Sequence, residues 1–317
     1  MNSDSSTAEY FASAATAKTI STALSNVTMS TSAIHVDDFA SAHKGIAPAI
    51  HVAVNYRYDR DPANLVPGEN RDPHNPENSF VYSRYSAPNS SRFEMVLKEI
   101  FGGKVMTYST GLAAFHAIMV LLNPKRVFID DGYHGVHAKI DLMTKLTGVK
   151  KYNLDQLEYL AAGDVIHIET PAHEAGAYLN VDATFGPPPL QDPLHLGADI
   201  VMHSGTKYIG GHSDMMCGIL VVHSMRVDRG WYKTLYSQRM VMGNVMGNLE
   251  GWLGLRSLRT LEIRVKRQSD TAKTLVEWIH RELQNPDSDI SRVVESIKTC
   301  IVAGGGYQRG VADTSNA

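Results

Sequence analysis

Five short apolar runs, RVFIDD, DVIHIET, AYLNVD, ADIVMHS and GILVVHS, are spaced along the middle of the 317-residue chain with helical patterns between them. Continuous apolar strands of this kind suit a sheet buried on both faces, so the rhythm predicts an α/β fold with helices on both sides. Upstream, VMTYSTGLAAFHAIMVLL reads as a short strand, a Ser-Thr-Gly turn and an apolar helix. Before it, SRFEMVLKEIFGG reads as a helix that begins on a Ser cap near Ser90 and ends in Gly. From Asn248, LEGWLGLRSLRTLEIRVKRQSDTAKTLVEWIHREL reads as one long amphipathic pattern. Leu253, Leu258, Leu261 and Val265 share a face there, with Arg256, Arg259 and Lys266 outside it.

The remaining stretches predict little regular structure. Residues 55–79, rich in Asp, Asn, Pro and Arg, read as a long surface loop, and the last dozen or so residues as a disordered tail. The first 33 residues are rich in Ser, Thr and Ala and read as a mobile arm. The first arginine is Arg57, Asp4 and Glu9 stand near the start, and no apolar core follows a basic one. Neither an organellar presequence nor a secretory signal is expected, and the expectation is a cytosolic protein.

Charge and composition exclude other classes. The net charge of -3 comes with no Lys/Arg block, so a nucleic-acid surface is not expected. No apolar run approaches the ~18 residues of a membrane span. Cys217 and Cys300 cannot build a disulfide framework, which fits a reducing compartment. No G-x-G-x-x-G follows a strand, which disfavours a dinucleotide site.

MHSGTKYIGGHSD carries the strongest chemical signal. It follows a buried strand, which places Lys207 at a strand's carboxyl end, where open α/β sheets put their ligands. A lysine desolvated there has a lowered pKa and a free amine able to attack an aldehyde. Ser204 and Thr206 flank it with hydroxyls suited to phosphate oxygens; the competing reading is a surface lysine in a polar turn. In TYSTGLAAF, Gly111 opens a helix whose first N–H groups can hold a phosphate, although such starts are usually plain capped helices. Asp182, in LNVDATF, can keep a pyridine nitrogen protonated, or be a turn Asp. Tyr133, in DDGYHGVH, can stack on a flat ring, or simply pack. The order of phosphate turn, aromatic, carboxylate and lysine joins these into one site for pyridoxal 5'-phosphate.

The segments VYSRYSAPNSSRFE, YSTGLAAF, GDVIHIETP, NVDATFGPPPLQDPLHLGADIVMHSGTKYIGGHSD and GWLGLRSLRTLEIRV resemble the Cys/Met-metabolism family of pyridoxal-phosphate enzymes. That family includes cystathionine γ-synthases, γ-lyases and β-lyases. The match runs from about Ile34 to Lys273, and GYHG around Tyr133 is similar to fungal γ-synthase-like sequences. The resemblance implies the aspartate-aminotransferase-like fold (fold type I), with a mostly parallel sheet. It makes Lys207 the residue that forms the Schiff base and shuttles protons. Ser204, Thr206 and the backbone at Gly111 and Leu112 hold the phosphate, Tyr133 stacks on the ring, and Asp182 pairs with the ring nitrogen beside Thr184. Tyr82 and Arg84 reach the phosphate of a neighbouring subunit, which implies a homodimer or homotetramer acting on a small amino-acid substrate.

Two departures from the family follow. Only Pro171–Gly176 separates IHIET from AYLNVD, where the family has a crossover helix and an Asn that touches the cofactor. The expectation is a displaced second strand, or a bare sheet face exposing Ile166, Ile168 and Leu179. His173-Glu174 is no zinc motif, since position 177 is Ala. The family's C-terminal domain and its carboxylate-binding Arg also find no match; Arg309 is a poor substitute, and the family's Arg after the stacking Tyr is Ala138 here, beside Lys139. The expected organisation is an arm and inter-subunit loop (1–85), a cofactor domain (86–265), and a remnant of a truncated C-terminal domain with its tail (266–317). The expected activity is γ-replacement on an O-acylhomoserine by cysteine. The alternatives are a γ- or β-lyase, or a truncated paralogue without catalysis.

Overall fold

The protein's structure, a computed structural model, describes residues 27–40, 45–58, 60–65, 67, 80–168 and 176–297. The arm expected to be mobile up to residue 26, most of the 66–79 loop, Glu169 with the His173-Glu174 pair, and the tail with Cys300 and Arg309 lie outside the described residues.

The strands are β1 (Lys104–Tyr108), β2 (Arg126–Phe128), β3 (Lys150–Tyr152), β4 (Val165–Ile168), β5 (Tyr178–Asp182), β6 (Ile200–Ser204) and β7 (Gly218–Val222). The helices are α1 (Met29–His35), α2 (Pro88–Phe101), α3 (Gly111–Leu122), α4 (His134–Thr147), α5 (Ser224–Val227), α6 (Trp231–Met242), α7 (Asn248–Leu258), α8 (Leu261–Leu283) and α9 (Asp289–Val293). The strands form one sheet in the order β1-β7-β6-β5-β4-β2-β3. Only β7 runs against its neighbours, so the expected mostly parallel sheet is what forms. The edge strand β3, KKY, was invisible to an apolar-run reading because it buries no side chain fully.

One face of the sheet packs Met106, Tyr108, Val127, Val165, Ile200, Met202 and Leu220 against Phe115, Ile118, Val136 and Ile140 of α3 and α4. On the other face α2 and α7 lie in backbone contact. A Cβ on Gly251 would come 2.8 Å from the Ser90 nitrogen, and one on Gly254 2.6 Å from the Phe93 ring. Helix α2 starts at Pro88 after Ala87, with no side-chain cap, rather than on Ser90. Proline's fixed φ and missing N–H suit the first helical position, which supersedes the expected Ser cap. Its end at Gly102, φ +68°, is the predicted one.

The long pattern after Asn248 breaks at Arg259 and Thr260 into α7 and α8. Arg259 is not on the solvent side. Its Nη2 lies 2.7 Å from Oδ1 of Asp37, a carboxylate fully buried that also takes Arg92 Nε, and its Nη1 donates to the Ile34 carbonyl at 2.7 Å. A carboxylate removed from water needs such charged donors, and this draws the arginine inward.

Strands β4 and β5 are parallel neighbours, with Val165 beside Tyr178 and Ile168 beside Val181, so the second strand is not displaced. Nor is the face bare: Ile166, Ile168 and Leu179 are 6%, 7% and 2% exposed. The joining stretch between Ile168 and Tyr178 can span roughly 30 Å when extended, about twice the length of a five-residue strand, so the chain can return without a helix.

The chain forms two compact units, Met1–Glu262 and Ile263–Ala317. In the second, Ser288 caps α9 by accepting from the Ile290 amide at 3.2 Å and donates to Glu282 at 2.7 Å.

Two buried histidines make stability depend on pH. Burial pushes His167 down to a pKa of about 4 and His203 to about 3. His167 accepts from Asn180 Nδ2 at 2.5 Å, and the His203 ring lies 4.8 Å from Phe101. Both bind protons more readily unfolded, with a pKa near 6.5, so stability is complete above that pH and is lost as pH falls toward 4. Each site contributes up to about 1.4 kcal/mol per pH unit in that window. Urea midpoints measured at pH 7.5 and 5 should show the drop, and His203→Leu should flatten it; an unchanged slope in that variant overturns the assignment.

Candidate active site at the carboxyl edge of the sheet

The predicted residues from four chain segments meet at one edge, because β1, β2, β5 and β6 all end there. After β1, Thr110 caps α3, its hydroxyl accepting from the Ala113 amide at 2.9 Å. That leaves the Gly111 and Leu112 amides at the helix start outside the cap, pointing out of the first turn. Gly111 rests on Ser204: a Cβ there would lie 3.4 Å from the serine's Cβ. The helix start and the turn after β6 are therefore in contact.

After β5, the Asp182 carboxylate is held by its own turn. Its Oδ1 accepts from the Thr184 amide at 3.0 Å and the Thr184 hydroxyl at 2.5 Å. The same hydroxyl accepts from the Ser204 amide at 2.8 Å, which ties the two turns together. After β6, the Lys207 amide donates to the Ser204 carbonyl at 3.1 Å, and the Gly211 amide to the Lys207 carbonyl at 2.7 Å. The Thr206 hydroxyl accepts from the Cys217 amide at 3.1 Å, so its own proton is left to donate elsewhere. Burial raises the Cys217 thiol pKa, which keeps it a neutral packing group.

Tyr133 stands at the start of α4, half exposed, with its ring 4.6 Å from that of His134. Gly135 makes room for it: a Cβ there would lie 2.5 Å from the tyrosine ring and 3.2 Å from Leu112 Cδ1. Lys207 is exposed, contrary to the desolvation expected from its position. The edge around it is open, with Tyr133, Phe185 and Met216 at 52%, 71% and 58% exposure. Tyr82 and Arg84 stand apart from this group. Tyr82 bridges to Asn55, and Arg84 donates to the Met240 carbonyl at 2.9 Å while lying 5.3 Å over the Tyr82 ring.

The sequence reading missed two residues that shape the site. Asn244, in the turn after α6, accepts the Ser109 amide at 3.0 Å through its carbonyl. Gly218 lets β7 touch the α3 start, since a Cβ there would lie 2.0 Å from the Thr110 carbonyl oxygen. A glycine opening a buried strand is the available signal for such an approach. Gly218→Ala should cost about 1–3 kcal/mol by overpacking backbone against backbone. The check is a urea midpoint; no change would mean that β7 and α3 yield freely.

The arrangement offers an anion site at a helix start flanked by two hydroxyls, an oriented carboxylate, an accessible aromatic ring and an accessible primary amine. The sequence family described as Cys/Met metabolism PLP-dependent enzyme matches residues 156–294. The chain is 31% identical to the cystathionine gamma-lyase of Bacillus subtilis over 63% of its length and 59% of that relative. It is likewise 31% identical to a cystathionine beta-lyase of Lactococcus lactis over 63% of the chain and 58% of the relative. It thus spans somewhat under two thirds of these curated relatives. The solved cystathionine gamma synthase of Xanthomonas oryzae in complex with cystathionine superposes with a TM-score of 0.60 and 26% identity, covering 74% of this chain and 64% of that one.

Proposed function

We propose that this chain is a member of the Cys/Met-metabolism family of PLP-dependent enzymes, whose family model matches residues 156–294, that it holds pyridoxal 5'-phosphate at the carboxyl edge of its sheet, and that it acts on sulfur amino acids. The supporting observation is the link through Thr184, which joins the Asp182 carboxylate to the Ser204 turn and so to the Gly111 helix start. The donor set fits the cofactor's polar ends. The Gly111 and Leu112 amides with the Ser204 and Thr206 hydroxyls would hold the phosphate. Asp182, its Oδ1 fixed by Thr184, would pair with the ring nitrogen and keep it protonated. Tyr133 would stack on the ring. When bound, the cofactor supplies an aldehyde that condenses with amines and a ring that takes up electron density.

Lys207 brings the amine for that aldehyde, and its Nζ carries protons to and from the substrate's Cα and Cβ. The first reaction to test is γ-replacement, in which cysteine's sulfur bonds to Cγ of an O-acylhomoserine and the acyl group leaves as its carboxylate. The identity to a γ-lyase and a β-lyase favours a second reading, elimination from cystathionine. Incubating the cofactor-loaded protein with O-succinylhomoserine and cysteine, and separately with cystathionine, separates them. Cystathionine formed in the first supports replacement, and a 2-oxoacid formed in the second supports elimination. Neither product, with cofactor bound, leaves a cofactor-binding chain without turnover.

The reading includes a homodimer or homotetramer, through the arm that carries Tyr82 and Arg84. Sedimentation of the loaded protein should give a dimer or larger; a loaded monomer at micromolar concentration refutes it.

A further inference from the structure

We propose that a cavity over β6 and β7, on the sheet face turned away from α3 and α4, binds a small organic cation, an ammonium group carried on an apolar or aromatic body. The proposal is independent of the cofactor reading.

Ile200 and Met202 of β6, with Leu220 and Val222 of β7, point into the core under α3 and α4. The two-residue alternation turns Val201, His203 and Val221 to the opposite face. There they form the floor of a cavity of about 630 Å³. Helix α1 gives Met29 and Ser32 to its wall, and the end of α2 gives Glu99 and Phe101. The loop of residues 188–194 closes the remaining side. A cleft of that volume falls within the ordinary range of small-molecule sites.

His203 is 1% exposed, and neither of its ring nitrogens completes a hydrogen bond. The Ala183 backbone bears on the ring and can satisfy one nitrogen at most, by accepting its N–H. Burial keeps the imidazole neutral, so the other nitrogen presents a lone pair. An acceptor held out of water without a donor is unfavourable, and a ligand N–H relieves it. The charges on the wall have one sign. Glu99 and Asp192 contribute carboxylates, and no Lys or Arg lines the cavity among the described residues. Lys98 Nζ lies 3.5 Å from Glu99 Oε1, but its side chain is 45% exposed and outside the wall, so solvent screens that pair. Asp192 is oriented by its own turn, its Oδ1 accepting from the His195 amide at 3.2 Å. An amino acid's carboxylate or a phosphate would meet two like charges here, whereas an ammonium meets two carboxylates and a lone pair. The Phe101 ring, 4.8 Å from that of His203, adds an aromatic surface, and Leu194, Val201 and Val221 add apolar contact for the body.

The test titrates the full chain with N,N-dimethyl-2-phenylethylamine, whose tertiary nitrogen is protonated at neutral pH and forms no Schiff base. Excess pyridoxal 5'-phosphate is present to keep the probe off the carboxyl edge of the sheet. The control is 3-phenylpropionate, which carries a carboxylate on a similar body. Calorimetry should give a Kd below about 1 mM for the amine and no saturation for the carboxylate. His203→Leu should weaken the amine about tenfold. Glu99→Gln with Asp192→Asn, both reached by solvent, should weaken it about fivefold at an unchanged melting temperature. If His203→Leu fails to fold, the double variant decides alone. Equal binding of the two compounds, no saturation by the amine, or full affinity in either variant overturns the proposal.

Discussion

Replacing Lys207 with alanine should abolish covalent capture of pyridoxal phosphate while leaving the fold intact. The wild type, mixed with the cofactor and reduced with borohydride, should gain its mass on the peptide that contains Lys207 and lose its visible absorption band. The main chain at Lys207 is held by bonds to Ser204 and Gly211 that do not involve the side chain. The side chain itself is exposed, so truncation should change stability by no more than about 0.5 kcal/mol. Lys207→Arg keeps the charge but presents a guanidinium that stays protonated, and it should fail as alanine does. A retained band or a label on another lysine in Lys207→Ala would sink the assignment of the amine. Melting temperature without cofactor is the control that separates loss of chemistry from loss of fold.

The parts of this site that were legible in the sequence are those encoded locally. Asp182, Ser204 and Lys207 each close an apolar run, and a run that ends marks a strand's end whatever lies beside it. Gly111 follows a Ser-Thr cap pattern for the same reason. Contacts between distant segments leave no such trace. The approach of Gly218 to Thr110 spans over a hundred residues, and a glycine at a strand start looks like any other turn residue. Arg259 was placed outside because periodicity assigns charge to solvent. Its partner Asp37 lies 222 positions away and reverses that rule. The edge strand β3 was lost because an edge needs no apolar run, and the exposure of Lys207 because solvent access depends on what stands in front of a turn. The pairing of β4 with β5 and the burial of Ile166, Ile168 and Leu179 ran against the expected displaced strand or bare face, because the short connection was weighed only against the length of a helical crossover.

The largest stability effect is expected from Arg239→Met. Arg239, on α6, is 4% exposed, and its Nη1 donates to Glu94 Oε1 at 2.6 Å and to the Thr107 carbonyl at 2.9 Å. The same Glu94 oxygen accepts from the Thr107 amide at 2.8 Å and its hydroxyl at 2.6 Å. One carboxylate thereby joins α2, α6 and β1, and the turn that follows α6 carries Asn244 to the Ser109 amide beside the site. Removing the arginine leaves a buried carboxylate without its counter-charge, which costs about 3–5 kcal/mol. The sign of its pH dependence is fixed. In the variant, Glu94 titrates higher folded than unfolded, so the folded state binds the extra proton and the deficit shrinks as pH falls through that folded pKa. Urea midpoints of the two proteins should converge at acid pH and diverge above neutrality. Adding Glu94→Gln to the variant removes the charge that was stranded and should recover part of the loss, so that the two substitutions together cost less than their sum. A loss below about 1 kcal/mol, or additivity between them, would mean that solvent reaches Glu94 and that the joint between α6 and β1 is held by packing instead.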